Sequence, residues 1–81
     1  MKIVFSKVYR FEKPTINGNR WHHRYEKRFF EDGTFYINLI TSYLDPDFNI
    51  IEYKEVNGVH KDSFNDYLEN NKKYLIEKYE Y

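Results

Sequence analysis

The side chains with the most chemistry to offer stand together in "RWHHRYEKRFF", residues 20–30: two histidines, three arginines, a lysine, a glutamate and four large aromatic rings. A histidine exchanges a proton near neutral pH, an arginine holds a phosphate or carboxylate, and a ring stacks on a base or fills a partner's pocket. Which of these is available depends on which side chains share a face. In an extended strand neighbours point to opposite sides. Trp21, His23, Tyr25, Lys27 and Phe29 then form one set, and His22, Arg24, Glu26, Arg28 and Phe30 the other.

Alternation separates the adjacent histidines, so in a regular strand His22 and His23 cannot grip one ion. The only other histidine is His60 and the chain has no cysteine, so neither a metal nor any cofactor is expected. His22 beside Glu26, Arg24 and Arg28 contains the parts of a metal-independent ribonuclease, a proton carrier with cations for a phosphorane. Any basic strand face with a histidine offers the same parts, so no catalytic residue is assigned and enzyme activity is the third reading. All three glycines follow Asn or Asp, at Asn17-Gly18, Asp32-Gly33 and Asn57-Gly58, which leaves no phosphate-cradling loop.

The elements that position these residues are legible from composition and punctuation. Residues 2–12 are rich in β-branched and aromatic types, and Asn17-Gly18 suits a tight type I′ turn, which folds 20–31 back as a second strand. Asp32-Gly33 leads into a third strand at 34–44, "DPDFN" at 45–49 reads as a loop, and 50–56 is a fourth strand closed by Asn57-Gly58. From Ser63 onward, Phe64, Tyr67, Leu68, Asn71, Leu75 and Tyr79 recur at helical spacing, and Ser63 with Asp66 resembles a capping box. The spacing predicts a helix over 63–79. The expected fold is a single α+β domain over 1–81, a four-stranded antiparallel meander with one C-terminal helix packed on one face.

Ile3, Phe5, Tyr9, Phe11, Phe35, Ile37, Leu39 and Tyr43 join the Trp21 set as the core face beneath the helix. The second face mixes apolar groups with Arg10, His22, Arg24, Arg28 and Tyr36, and these five are the candidate binding residues.

Charge and composition narrow the function. Residues 1–30 carry eight basic side chains against two acidic, and residues 31–81 five against eleven, for a net charge of zero. The preferred reading is that acidic and basic elements lie side by side and spend this asymmetry internally; the other is a basic patch facing water. "MKIVFSKVYRF" breaks its apolar run with Lys7 and Arg10, and no run reaches the ~18 residues of a membrane span, so a cytoplasmic protein without membrane contact is expected. Lys, Asn, Ile, Tyr and Phe make up 40 of 81 residues while Ala and Gln are absent, which indicates an AT-rich genome such as a low-GC bacterium or its phage or plasmid.

Aromatics and arginine on a half-covered sheet have the composition of protein-interface hot spots, and exposed strand edges can pair with a partner or a second copy. The leading expectation is therefore a small protein-binding module acting on a host or bacterial protein, in its most concrete form a phage- or mobile-element-encoded inhibitor of anti-defence type. The alternative is a nucleic-acid-binding sheet that stacks bases on the rings and holds phosphates with the same arginines.

Overall fold

Residues 2–81 are described by a computed structural model. The β-branched and aromatic first part of the chain forms β1 (Ile3–Pro14), β2 (Arg20–Phe30), β3 (Phe35–Leu44) and β4 (Ile50–Asn57), in the order and close to the bounds that composition indicates. Each strand pairs antiparallel with the next. No helix among the described residues is long and apolar enough to cross a membrane.

The C-terminal third corrects the expectation. The helix, α1, spans only Lys61–Asn70; a short 3-10 turn at Lys72–Tyr74 follows, and Leu75–Glu80 is a fifth strand, β5, beside β1. The sheet therefore has five strands, in the order β4-β3-β2-β1-β5. The helix ends at Asn71, whose backbone departs from helical angles (φ −125°, ψ 23°) and whose side-chain amide donates back to the Tyr67 carbonyl. Beyond that point the chain gains more as a strand. β1 would otherwise present an unpaired row of N–H and C=O groups, and β5 covers it from Lys7 to Phe11. The helix start also moves. His60, not Ser63, is the N-cap, its Nδ1 accepting from the Asp62 N–H at 3.1 Å.

The hairpins share one geometry, and it is not the two-residue type I′ turn expected at Asn17-Gly18. In each, the first residue donates to the carbonyl four positions on, while the N–H of the third loop residue donates back to the first residue's carbonyl: Thr15 with Asn19 and Gly18, Phe30 with Thr34 and Gly33, Asp45 with Asn49 and Phe48. The third loop residue takes a left-handed backbone, with φ of 86° at Gly18, 86° at Gly33 and 66° at Phe48. Glycine suits that slot because it has no Cβ.

The core lies between α1 and the aromatic face. Tyr9, Phe11, Tyr25, Ile37 and Phe64 are buried, with Leu39, Tyr67, Leu68, Tyr74 and Leu75 packed around them. Phe64 meets Tyr9 and Tyr25 at 5.1 Å between ring centroids, and Tyr67 meets Phe11 at 5.0 Å. Helical spacing thus identified the right contacts as far as Leu68; Leu75 reaches the same core from β5, opposite Phe11, and Tyr79 lies opposite Val8 on the second face. A bulge between Ile3 and Phe5 pairs Ile3 with Phe30, so Ile3 leaves the core set it was expected to join.

The capping assignment is checked by urea unfolding. His60→Ala is expected to cost about 1 kcal/mol, whereas Ser63→Ala stays within about 0.5 kcal/mol of wild type.

Candidate functional site

The second face of the sheet bears Arg10, Arg24, Arg28, His22 and Tyr36, as strand alternation indicates, and the cross-strand register sets what each one meets. Arg10 lies opposite Arg24 on one side and Glu77 on the other; Glu12 lies opposite His22; Arg28 lies opposite Tyr36. Every arginine of this face sits against a carboxylate. Arg10 reaches Glu77 at 2.5 Å, Arg20 reaches Glu12 at 3.1 Å, and Arg24 and Arg28 both pair with Glu26, Arg24 at 3.0 Å.

Glu26 is the anchor of this network and is 5% exposed. One carboxylate oxygen accepts from Tyr81 Oη at 2.6 Å and from Arg24; the other accepts from Arg28. Burial works against the charged form, but the hydrogen bonds from Tyr81, Arg28 and Arg24 outweigh it and hold the carboxyl below its usual range. The Tyr81 hydroxyl thereby ties the residue after β5 to β2, and the Arg10–Glu77 pair joins a basic residue of the first part of the chain to an acidic one of the second.

The histidines part company as alternation requires. His22 accepts from Arg10 at 3.0 Å through Nε2 and is held neutral, its pKa lowered by burial and by the Arg10 charge against the opposing pull of Glu12. His23 is on the core face, stacked on Trp21, edge-on to Tyr67 and bonded to Thr41 at 3.1 Å. Burial, with Lys13 and His22 adding to it, pushes its pKa down to about 4. Among the described residues no group of three or more His, Asp or Glu side chains is placed to hold a metal ion.

At the end of the sheet where the β1–β2 and β3–β4 hairpins lie side by side, Arg10, Glu12, Arg20, His22, Leu44 and Phe48 line a hollow of about 120 Å³. Phe48 forms its rim. Its ring is 63% exposed and carries the Arg20 guanidinium 4.2 Å from its centroid. Ile50 and Tyr53 continue outward on the same face, opposite Leu44 and Ser42, at 63% and 57% exposure. The site therefore joins two of the residues expected from sequence, Arg10 and His22, to three that were not: Phe48, Ile50 and Tyr53. Arg24 and Arg28 belong to the Glu26 network, and Tyr36 lies toward the opposite end of β3.

Phe48 left a signal in the sequence. The three hairpin loops are "ING", "EDG" and "PDF", each with Asn or Asp before the left-handed slot. Glycine fills that slot twice; the third time a large aromatic holds a conformation costing an L-residue roughly 1–2 kcal/mol.

No known family model, curated protein or solved structure matches this chain.

Two stability measurements test the electrostatics. Glu26→Gln removes the charge that Arg24 and Arg28 share and should cost about 1–3 kcal/mol, less than a fully buried pair because both arginines reach water. The second concerns acid. A histidine whose folded pKa lies near 4, below the ordinary 6.5, contributes its full stability above pH 6.5 and loses it as the pH falls toward 4. His23→Phe keeps the ring stack, so its unfolding free energy should decline less than that of wild type between pH 7 and pH 4. From the ordinary carboxylate range downward both proteins also lose the Glu26 contribution, so the difference between them reports His23.

Proposed function

We propose that this chain is a cofactor-free protein-binding module whose contact surface is Phe48 with the exposed residues Ile50 and Tyr53 beside it. The observation that carries the reading is the strained, exposed ring. Backbone strain persists where the surrounding structure imposes it and clusters at binding clamps; here it presents a large apolar ring to water when glycine would relieve it. A rigid aromatic beside an arginine, with aliphatic groups around it, is the composition of an interface hot spot. The hollow behind Phe48 supplies Arg10, Arg20 and His22 as polar contacts at the rim of such a patch.

The pairing of the arginines weighs against the nucleic-acid alternative. Phosphate binding draws its affinity from unopposed positive charge, and the arginines of the second face are matched to Glu12, Glu26 and Glu77. The ribonuclease reading has a base already engaged, since His22 Nε2 is taken by Arg10. The narrower role of a phage or mobile-element inhibitor rests on codon usage and adds no residue to the site.

Phe48→Gly separates function from folding. It relieves the left-handed strain while giving up the Arg20 contact, about 0.5–1 kcal/mol, and some chain entropy of similar size, so stability should stay within about 1 kcal/mol of wild type. Partner capture from a host lysate should nevertheless be lost, and lost as well by Ile50→Glu/Tyr53→Glu. Retention of the same proteins by folded Phe48→Gly overturns the reading; a salt-steep affinity for oligonucleotides would replace it with the alternative.

A further inference from the structure

At the opposite end of β3 from Phe48 lies a larger opening, about 360 Å³, with Phe35 and Tyr36 on one side and Gly58, Val59, His60 and Lys61 on the other. It exists because β4 leaves the sheet before β3 begins. The Ile37 carbonyl accepts from both Gly58 and Val59 N–H groups, and the next residue that would continue the β4 line, His60, caps α1 instead. In an antiparallel ladder the residues that turn their N–H and C=O toward one neighbour alternate. Since Ile37 turns toward β4, Phe35 does too. On its other side Phe35 is not a hydrogen-bonded partner of β2, because the bonded pair there is Phe30 with Thr34. The Phe35 N–H and C=O therefore point into the opening along a strand edge with no strand on it.

Two lysines stand at this edge with no carboxylate in ion-pair contact. Lys61 lines the opening, and Lys27 lies with its Nζ 4.2 Å from the centroid of the Phe35 ring. Lys27 stands directly opposite Lys7 in the β1–β2 register, a like-charge pair that destabilises a sheet. Among the described residues neither Lys7, Lys27 nor Lys61 has a carboxylate within ion-pair distance. Glu80 faces Lys7 from β5, and Asp62 turns back toward His60 at 3.7 Å. Burial, with Lys7 adding to it, lowers the pKa of Lys27, the response of an ammonium that lacks a counter-ion.

We propose that this opening receives a short, acidic, extended segment of a partner protein, which continues the line of β4 along the free edge of β3. The segment's backbone satisfies Phe35, its alternate side chains lie against Phe35 and Val59, and its carboxylates meet Lys61 and Lys27. Strand addition of this kind takes affinity from main-chain hydrogen bonds and selectivity from the flanking side chains. The inference rests on the protein-binding reading only in that the ligand is polypeptide; the surface is a second one, at the far end of β3 from Phe48.

The test uses a fluorescein-labelled hexapeptide of alternating Glu and Val, its Lys/Val counterpart and a hexathymidylate of equal length, followed by anisotropy and by amide hydrogen exchange. The Glu/Val peptide should bind at least ten-fold more tightly than the Lys/Val peptide, Lys61→Glu should weaken it three-fold or more, and exchange at the Phe35 amide should slow on binding. Equal affinity for the two peptides, binding without protection of Phe35, or preference for the oligonucleotide overturns the proposal. Phe48→Gly should bind the Glu/Val peptide as wild type does. Failure of peptide binding with capture through Phe48 intact therefore removes this inference alone, and the converse result removes only the Phe48 surface.

Discussion

A ten-residue α-helix is about 15 Å long, and the body it belongs to extends 45 Å. That mismatch sets the character of this molecule. α1 can shield only the middle of one sheet face, where Tyr9, Phe11, Tyr25 and Ile37 lie under Phe64 and Tyr67. Everything beyond its reach must be covered by side chains of the sheet itself or left in water. The second face adopts the first solution near β1 and β2, where Glu26 gathers Arg24, Arg28 and Tyr81 into a layer one side chain deep. It leaves the far side, around Phe48, Ile50 and Tyr53, in water.

The ion pairs account for only part of the uneven charge along the chain: Glu77 of the acidic second part answers Arg10 of the basic first part, while Glu12 and Glu26 pair within the first part. A carboxylate buried alone is costly, and two neighbouring arginines without a counter-ion repel. Together, with a tyrosine hydroxyl from the chain's last residue, each removes the other's penalty. β5 is held by the same logic: Glu77 answers Arg10, and Glu80 lies opposite Lys7. The arginine charge is matched within the fold, and the cations without an ion-pair partner among the described residues are lysines, Lys7, Lys27 and Lys61 among them.

The two unfinished places sit at opposite ends of β3. At one, a turn that glycine would close without strain instead holds out an aromatic ring; at the other, a strand ends early and leaves a backbone edge bare. Both leave surface that the fold itself does not cover: Phe48 is largely in water, and no strand lies on the edge of β3 at Phe35.

The first four strands, and the faces of most of their side chains, were legible in the sequence because that information was local. The period-2 alternation of residues 20–30 decided that His22 and His23 diverge, and Asn or Asp before glycine marked two of the hairpins, because both depend on the stereochemistry of a few adjacent residues. The loop "PDF" carried the same pattern with Phe48 in the left-handed slot, readable once the three turns are compared. The stretch 71–81 was not legible, since Leu75 and Tyr79 fit a helical stripe as well as a strand. What turned them into β5 was the open edge of β1, a partner more than sixty residues away whose hydrogen-bonding groups no local pattern reveals. The arginines divide the same way: alternation along β2 by itself set Glu26 between Arg24 and Arg28, two residues from each, whereas only the register of the paired strands brought Glu12 to Arg20 and Glu77 to Arg10, because an ion pair between strands depends on distance in space and not along the chain.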